Sequence, residues 1–217
     1  MGSVVIRIIT IEREYGSGAG AIAAKLANRL GWTLWDREIT HEIARRLKCD
    51  VTSVEEREER LDPTFYRLMK TFMRGSYEES FGGSGTDLLD AEHLARLFES
   101  VVKDVAMHGN CVIVGRGSPW YLRQRPDTFH TFLFASHEDK TRRLTSMGKS
   151  RAEAEHLIQT VDAERAAFVK KFCDKTWPQR ELYHLMLNSG MGDDNVIETI
   201  LNSLALLNQQ TRAAVHA

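Results

Sequence analysis

Cysteine is scarce and poorly placed for joint chemistry. The three present, Cys49, Cys111 and Cys173, are odd in number, far apart and set in segments that read as helix or strand. That pattern excludes a disulfide ladder and any zinc spacing, and it suits a reducing compartment. The eight histidines show no paired metal spacing either. Net charge is only −1, so no global field draws the chain to nucleic acid or to an acidic membrane. Any anion site must be a local gathering of arginines. No apolar run approaches the roughly 18 residues that a membrane span needs. The apolar start "VVIRIITIE" holds an arginine and lacks a small-residue cleavage site, so it does not read as a signal peptide. Internal repeats and low-complexity segments are missing too. These absences lead to the expectation of a cytoplasmic protein with neither a membrane nor a nucleic-acid partner.

What is present is ordinary globular composition, 42% hydrophobic and 27% charged over 217 residues. That length allows one full-sized domain, with room for a mobile subdomain. Short β-branched runs alternate with longer segments of helical period. The first strand reads as Val4 to Ile11, followed by a helix striped by Ile22, Leu26 and Leu30 and stopped by Gly31. "WTLWD" gives a brief second strand, and Ile39, Ile43 and Leu47 mark a helix. Thr52 with Glu55 forms a capping-box pattern, and "SYEESFGGSG", Ser76 to Gly85, reads as the most flexible loop. A long helix from about Thr86 carries Leu94, Leu97, Val101 and Val105 to a stop at Gly109. "CVIVG" and "FHTFLFA" are apolar throughout, as strands buried on both faces are. After the second of these a helix stops near Gly148, and Ser150 with Glu153 opens the next. "YHLMLN" is the last strand, before an amphipathic helix through Ile197, Ile200, Leu204 and Leu207. That broad stripe suits a homodimer contact as well as burial against the sheet. The four tryptophans read as packing residues, with Trp120 placed to line a pocket.

Five strands alternating with helices predict an α/β fold with a parallel sheet covered on both faces. Ligands bind such sheets at the carboxyl ends of the strands. The segments after each strand therefore carry the functional expectation: Glu12 to Gly20, Asp36 and Arg37, Gly115 to Gly117, and Ser136 onward.

A strand, then "GSGAG", then a helix is an arrangement that binds phosphate. Its glycines let several N–H groups point into one concavity, and the helix N-terminus adds a favourable dipole. The strict pattern asks for glycine, four residues, then Gly-Lys-Ser/Thr. With Gly18 as the second glycine, Arg13 takes the first position, Ala19 the lysine position and Gly20 the hydroxyl position. The loop can cradle phosphate, but the lysine's charge must come from elsewhere. Arg13 leaves the same strand end, Lys25 lies well along the helix, and Ser17 is the hydroxyl placed to approach a metal. A helix-initiating turn without a ligand is the alternative. Arg116, directly after a buried strand, needs an acid such as Asp36 or a phosphate. Asp36 and Arg37 are placed to contact a sugar or base and a phosphate; Arg37 reads equally as the first turn of a solvated helix. Arg142, Arg143, Arg151 and Arg165 lie on two helices separated by Gly148 and would suit a hinged lid, with Arg151 read as part of an exposed charged face.

Taken in order, "ITIEREYGSGAGAIAAKLANRLG", "LWDREI", "NCVIVGRGS", "DAERAAFVKKF" and "ELYHLMLNSG" resemble the cytidylate kinase-like family, relatives of the nucleoside monophosphate kinases. The resemblance implies a three-layer P-loop kinase fold. It has a five-stranded parallel sheet with helices on both faces, an acceptor-side helical insertion at about 37–85 and a helical lid at about 137–175. It implies ATP as donor and Mg²⁺, with Gly16, Ser17, Gly18, Ala19, Gly20 and Ala21 cradling the donor phosphates and Arg142 assisting from the lid. Asp36 and Arg37 would meet the acceptor, Arg116 would hold its phosphate, and Arg13, Arg116 and Arg165 would surround the moving phosphoryl group. Ser17 would approach the metal. Family loops commonly read Gly-Ser-Gly-Gly-Arg, where this chain has Ala19 and Gly20, and the aspartate of Gly-Arg-Asp is Gly117 here. The expected activity is ATP-dependent phosphoryl transfer to a nucleoside monophosphate such as CMP. The alternatives are a nucleotide binder with little catalysis and a kinase of an alcohol-bearing metabolite, for which Asp36 or Glu14 is the available base.

Overall fold

A computed structural model of the chain describes residues 5–46 and 91–213. Five strands form one parallel sheet in the order β2-β3-β1-β4-β5: β1 (Ile8–Arg13), β2 (Thr33–Trp35), β3 (Cys111–Val114), β4 (Thr128–Phe134) and β5 (Leu185–Asn188). The helices are α1 (Ala19–Leu30), α2 (Arg37–Arg46), α3 (Ala91–Met107), α4 (Ser118–Tyr121), α5 (His137–Ser146), α6 (Arg151–Cys173) and α7 (Asp193–Ala213). The expected strands and their flanking helices are all found where described. The Thr52–Glu55 cap, the Ser76–Gly85 loop and most of the expected insertion lie outside the described residues, as do the side chains of Arg37 and Ile43.

Strand bounds differ from the sequence reading, most at β1, while β5 starts two residues later than Tyr183. β1 begins at Ile8 rather than Val4 and runs two residues past Ile11, because Glu12 and Arg13 continue the ladder opposite Phe132 and Leu133. Both are polar, so hydrophobicity alone ends the strand too early; both are nevertheless buried.

The alternation of side chains along β1 builds two cores. Ile9 and Ile11 face α1 and α7, packing with Ile22, Leu26, Val196 and Ile200. Ile8, with Cys111 and Ile113 of β3, faces Ile39, Phe98, Val101, Val102 and Phe168. The broad stripe of α7 is thus engaged by the sheet. A third, smaller core joins Tyr15 to Leu144 of α5 and Ala154, Ile158 and Val161 of α6. α5 and α6 are thereby fastened over the segment leaving β1. Their N-termini are capped by Ser136, which accepts from the Asp139 amide, and by Ser150, which accepts from the Glu153 amide. Among the described residues no helix is long and apolar enough to cross a membrane.

Candidate functional site

β1 is paired on one side with β3 and on the other with β4, all parallel. The segments leaving those three strands therefore emerge side by side. The glycine loop is in the middle, the Gly115–Gly117 turn on one flank and the start of α5 on the other.

In the loop, Gly16 and Gly18 adopt positive φ of 76° and 77°, which a residue with a Cβ reaches only with strain. Gly18 is the N-cap of α1, and no side chain caps that helix. The Ser17 hydroxyl is wholly buried and finds no hydrogen-bond partner among the described residues. The Ser17 carbonyl is held instead, accepting from Ser189 Oγ at 2.7 Å and from Arg143 Nη1 at 2.9 Å. Above the loop lies a cavity of about 410 Å³, walled by residues 13–21 together with Arg143 and Met147, Arg165, and Asp193. That is within the usual range for a small-molecule site.

Three arginines border this region, Arg13 and Arg116 buried and Arg165 largely covered. Arg13 lies over Gly115, whose missing Cβ makes the room, since a Cβ there would stand 1.9 Å from Arg13 Nη1. Its Nη1 meets Glu12 at 3.3 Å, while its Nε is buried without a hydrogen-bond partner among the described residues. Arg165 donates to the Arg13 carbonyl and to Asp162, both at 3.0 Å. Asp162 also accepts from the Tyr15 amide at 2.8 Å. Gly115, Arg116 and Gly117 all have positive φ, 65°, 61° and 66°. This turn is rare for an arginine. Burial pulls the Arg116 pKa down to about 9, opposed by Asp36 and reinforced by Arg13 and Arg165. Burial and Arg13 likewise pull Arg165 down to about 10, against Asp162. Arg116 is thus disfavoured by two neighbouring cations and Arg165 by one, a strain that an added anion would relieve.

The structure brings Gly16, Ser17, Gly18, Ala19, Gly20, Ala21, Arg13 and Arg165 to one cavity. Arg116 and Asp36 lie buried beside it, close enough for their charges to act on each other. Arg142 is the exception. It is exposed, pairs with Asp139, and does not line the cavity. Arg143 does. Lys25 pairs with Asp193 and Asp194, at 3.2 and 3.8 Å. Glu14 is taken up by Lys140, a buried lysine of α5 with Nζ 2.5 Å from the carboxylate and 3.7 Å from Asp162. Lys140, Asp162 and Asp193 were not expected at the site. A signal for the first was available, since Lys140, Arg143, Leu144 and Met147 fall at i, i+3, i+4 and i+7, one face of a helix. Arg142 lies off that face.

Residues 8–191 match the model of the cytidylate kinase-like family, and the chain belongs to that family. No curated protein matches the sequence. Among solved structures it is similar to an uncharacterized protein from Eubacterium ventriosum, with a TM-score of 0.64 at 23% identity, over 92% of this chain and 98% of that one. A gluconokinase from Sinorhizobium meliloti aligns at TM-score 0.57 and 13% identity over 99% of each chain. Shikimate kinase from Acinetobacter baumannii, solved in complex with shikimate, aligns at 0.51 and 15% over 93% and 94%. The likenesses identify the three-layer α/β architecture of P-loop kinases.

Proposed function

We propose that this member of the cytidylate kinase-like family transfers a phosphoryl group from ATP to a small acceptor, most readily a nucleoside monophosphate such as CMP. One observation carries the reading: the buried Arg13 and Arg116 and the largely covered Arg165 gather beside a helix N-terminus that opens with two left-handed glycines. Backbone amides from Gly16 to Ala21 would cradle the donor phosphates. Arg116 would hold the acceptor's phosphate, Asp36 its sugar or base, and Arg13 and Arg165 would neutralise charge building on the moving phosphoryl group. Mg²⁺, when bound, would offset the charge of the donor phosphates. The orphaned Ser17 hydroxyl fits as its one protein ligand, since this ion usually keeps waters and phosphate oxygens as the rest of its shell. We further take residues 137–175 as a lid over the cavity and residues 37–85 as the acceptor side, in a protein of the cytoplasm.

A second reading has its own support. Gly117 leaves the turn after Arg116 without an acid, Asp36 is buried next to that arginine, and two aligned kinases carry names of alcohol-bearing acceptors. An alcohol acceptor needs a base, for which Asp36 or Glu14 would serve. Incubation with ATP, Mg²⁺ and a panel of nucleoside monophosphates, shikimate and gluconate, read by mass, separates the two. Diphosphate from CMP supports the first; a phosphorylated alcohol supports the second. ATP binding with no product on any acceptor points to a binder without chemistry and overturns both.

A further inference from the structure

The lysine position of the loop holds Ala19, which is buried at the first turn of α1. Five cations near the loop can be followed to partners among the described residues. Lys25 is paired with Asp193 on the cavity rim and with the exposed Asp194. Lys140 is held between Glu14 and Asp162. Arg13 is turned over Gly115 toward Glu12, and Arg165 is fastened to the Arg13 carbonyl and Asp162. Arg143 alone among these is seated on the loop's own glycine. Its Nη1 occupies the space a Cβ on Gly18 would need, 1.0 Å from where that atom would be. The same nitrogen donates to the Ser17 carbonyl at 2.9 Å.

Resting on the phosphate-cradle reading above, we infer that Arg143 replaces the absent loop lysine, delivering its charge to the donor phosphates from α5 instead of from α1. Four features support the assignment. The guanidinium lines the cavity. Its side chain is 28% exposed, so an entering phosphate can reach it. A guanidinium has five donors, so the bond to Ser17 leaves others for phosphate oxygens. Its second contact, Asp193 at 3.6 Å on the cavity rim, is a long ion pair that a phosphate can displace. The glycine at 18 then has two reasons to be there, its positive φ and the room it gives Arg143. Because Arg143 belongs to α5, the charge arrives only when α5 is packed on the loop through Leu144 and Tyr15. The charge and the covering helix are one element here.

The test uses the full chain and two probes, inorganic tripolyphosphate and ATP, titrated by calorimetry. Wild type should bind both. Arg143→Met should bind each at least tenfold more weakly, and Arg143→Gln, which keeps a donor for the Ser17 carbonyl but no charge, should show the same loss. Arg151→Met, which removes an exposed lid charge paired with Glu155, should stay within twofold. Melting curves establish that the variants are folded, and Arg143→Gln decides if Arg143→Met is not. Should wild type bind neither probe, the cradle reading falls and takes this one with it. Should wild type bind both while Arg143→Gln binds as tightly, the cradle stands and the role given to Arg143 is overturned.

Discussion

Arg116 is held where an arginine prefers not to be, at φ 61° between two glycines that adopt the same region without cost. The strain is about 1–2 kcal/mol, and backbone strain of this kind tends to gather where function needs a side chain aimed. Here the guanidinium is buried within electrostatic reach of Asp36, Arg13 and Arg165. Arg116→Lys keeps the charge near Asp36 but loses the planar fork. Turnover should fall on the order of 10²–10³, while the melting temperature stays near that of wild type; a rate within threefold would remove Arg116 from the acceptor site. Gly18→Ala is the converse case. Its Cβ meets Arg143 at 1.0 Å and its φ of 77° resists a side chain, so ATP affinity should fall at least tenfold with about 1–2 kcal/mol of stability lost. Calorimetry and denaturant melts read the two effects separately. At this scale the sequence was partly legible. The glycines and Arg116 announced themselves by position after strands, and Lys140 only through its helix face, whereas Asp162 did not, because an ion pair between distant segments is a property of their being brought together.

Helix phase decides which arginine of α5 reaches the loop. Leu144 is buried, and Lys140, Arg143 and Met147 share its face, so Arg142 must point to solvent and to Asp139. That phase was present in the sequence, but a contiguous Arg-Arg pair hides it unless the apolar anchor is used to set the register. Among the strands, the link between β1, β4 and the start of β5 carries a pH dependence. Thr10 Oγ1 and His130 Nδ1 share a hydrogen bond at 2.7 Å, the His130 amide donates to His184 Nδ1 at 2.9 Å, and the two rings stack. Burial, and then His184, pulls the His130 pKa from 6.5 to about 4. Below pH 6.5 the unfolded chain takes up a proton that the folded chain refuses until about pH 4. Stability is therefore full above 6.5 and declines as pH falls through that window, by at most about 3 kcal/mol. Urea melts at pH 7 and pH 5 should differ, and in His130→Asn the difference should shrink by about 2 kcal/mol. An unchanged difference would mean His130 is not the group that titrates.

For the molecule as a whole, alternation of apolar runs with helical stripes was enough to read a parallel sheet sandwiched by helices, and every described strand came from such a run. The order β2-β3-β1-β4-β5 was not in those runs. It follows from which faces pack, with Ile9 and Ile11 turned to α1 and α7 and Ile8 to α3 and α6. That order makes the site, because it puts the loop after β1 between the turn after β3 and the helix after β4. Three elements far apart in sequence thus converge on one cavity, and a ligand held there should tie them together. Nucleotide binding is then linked to global folding. Saturation at 100 times Kd would add about 2.7 kcal/mol, which for a chain of this size is about 5–10 °C in Tm. ATP with Mg²⁺ should produce such a rise, and adenosine, which lacks the phosphates, should produce much less. Arg143→Gln should abolish most of the difference between the two ligands. A rise of equal size with adenosine would show that the base, not the phosphate chain, draws the elements together, and that the gathered arginines serve some other anion.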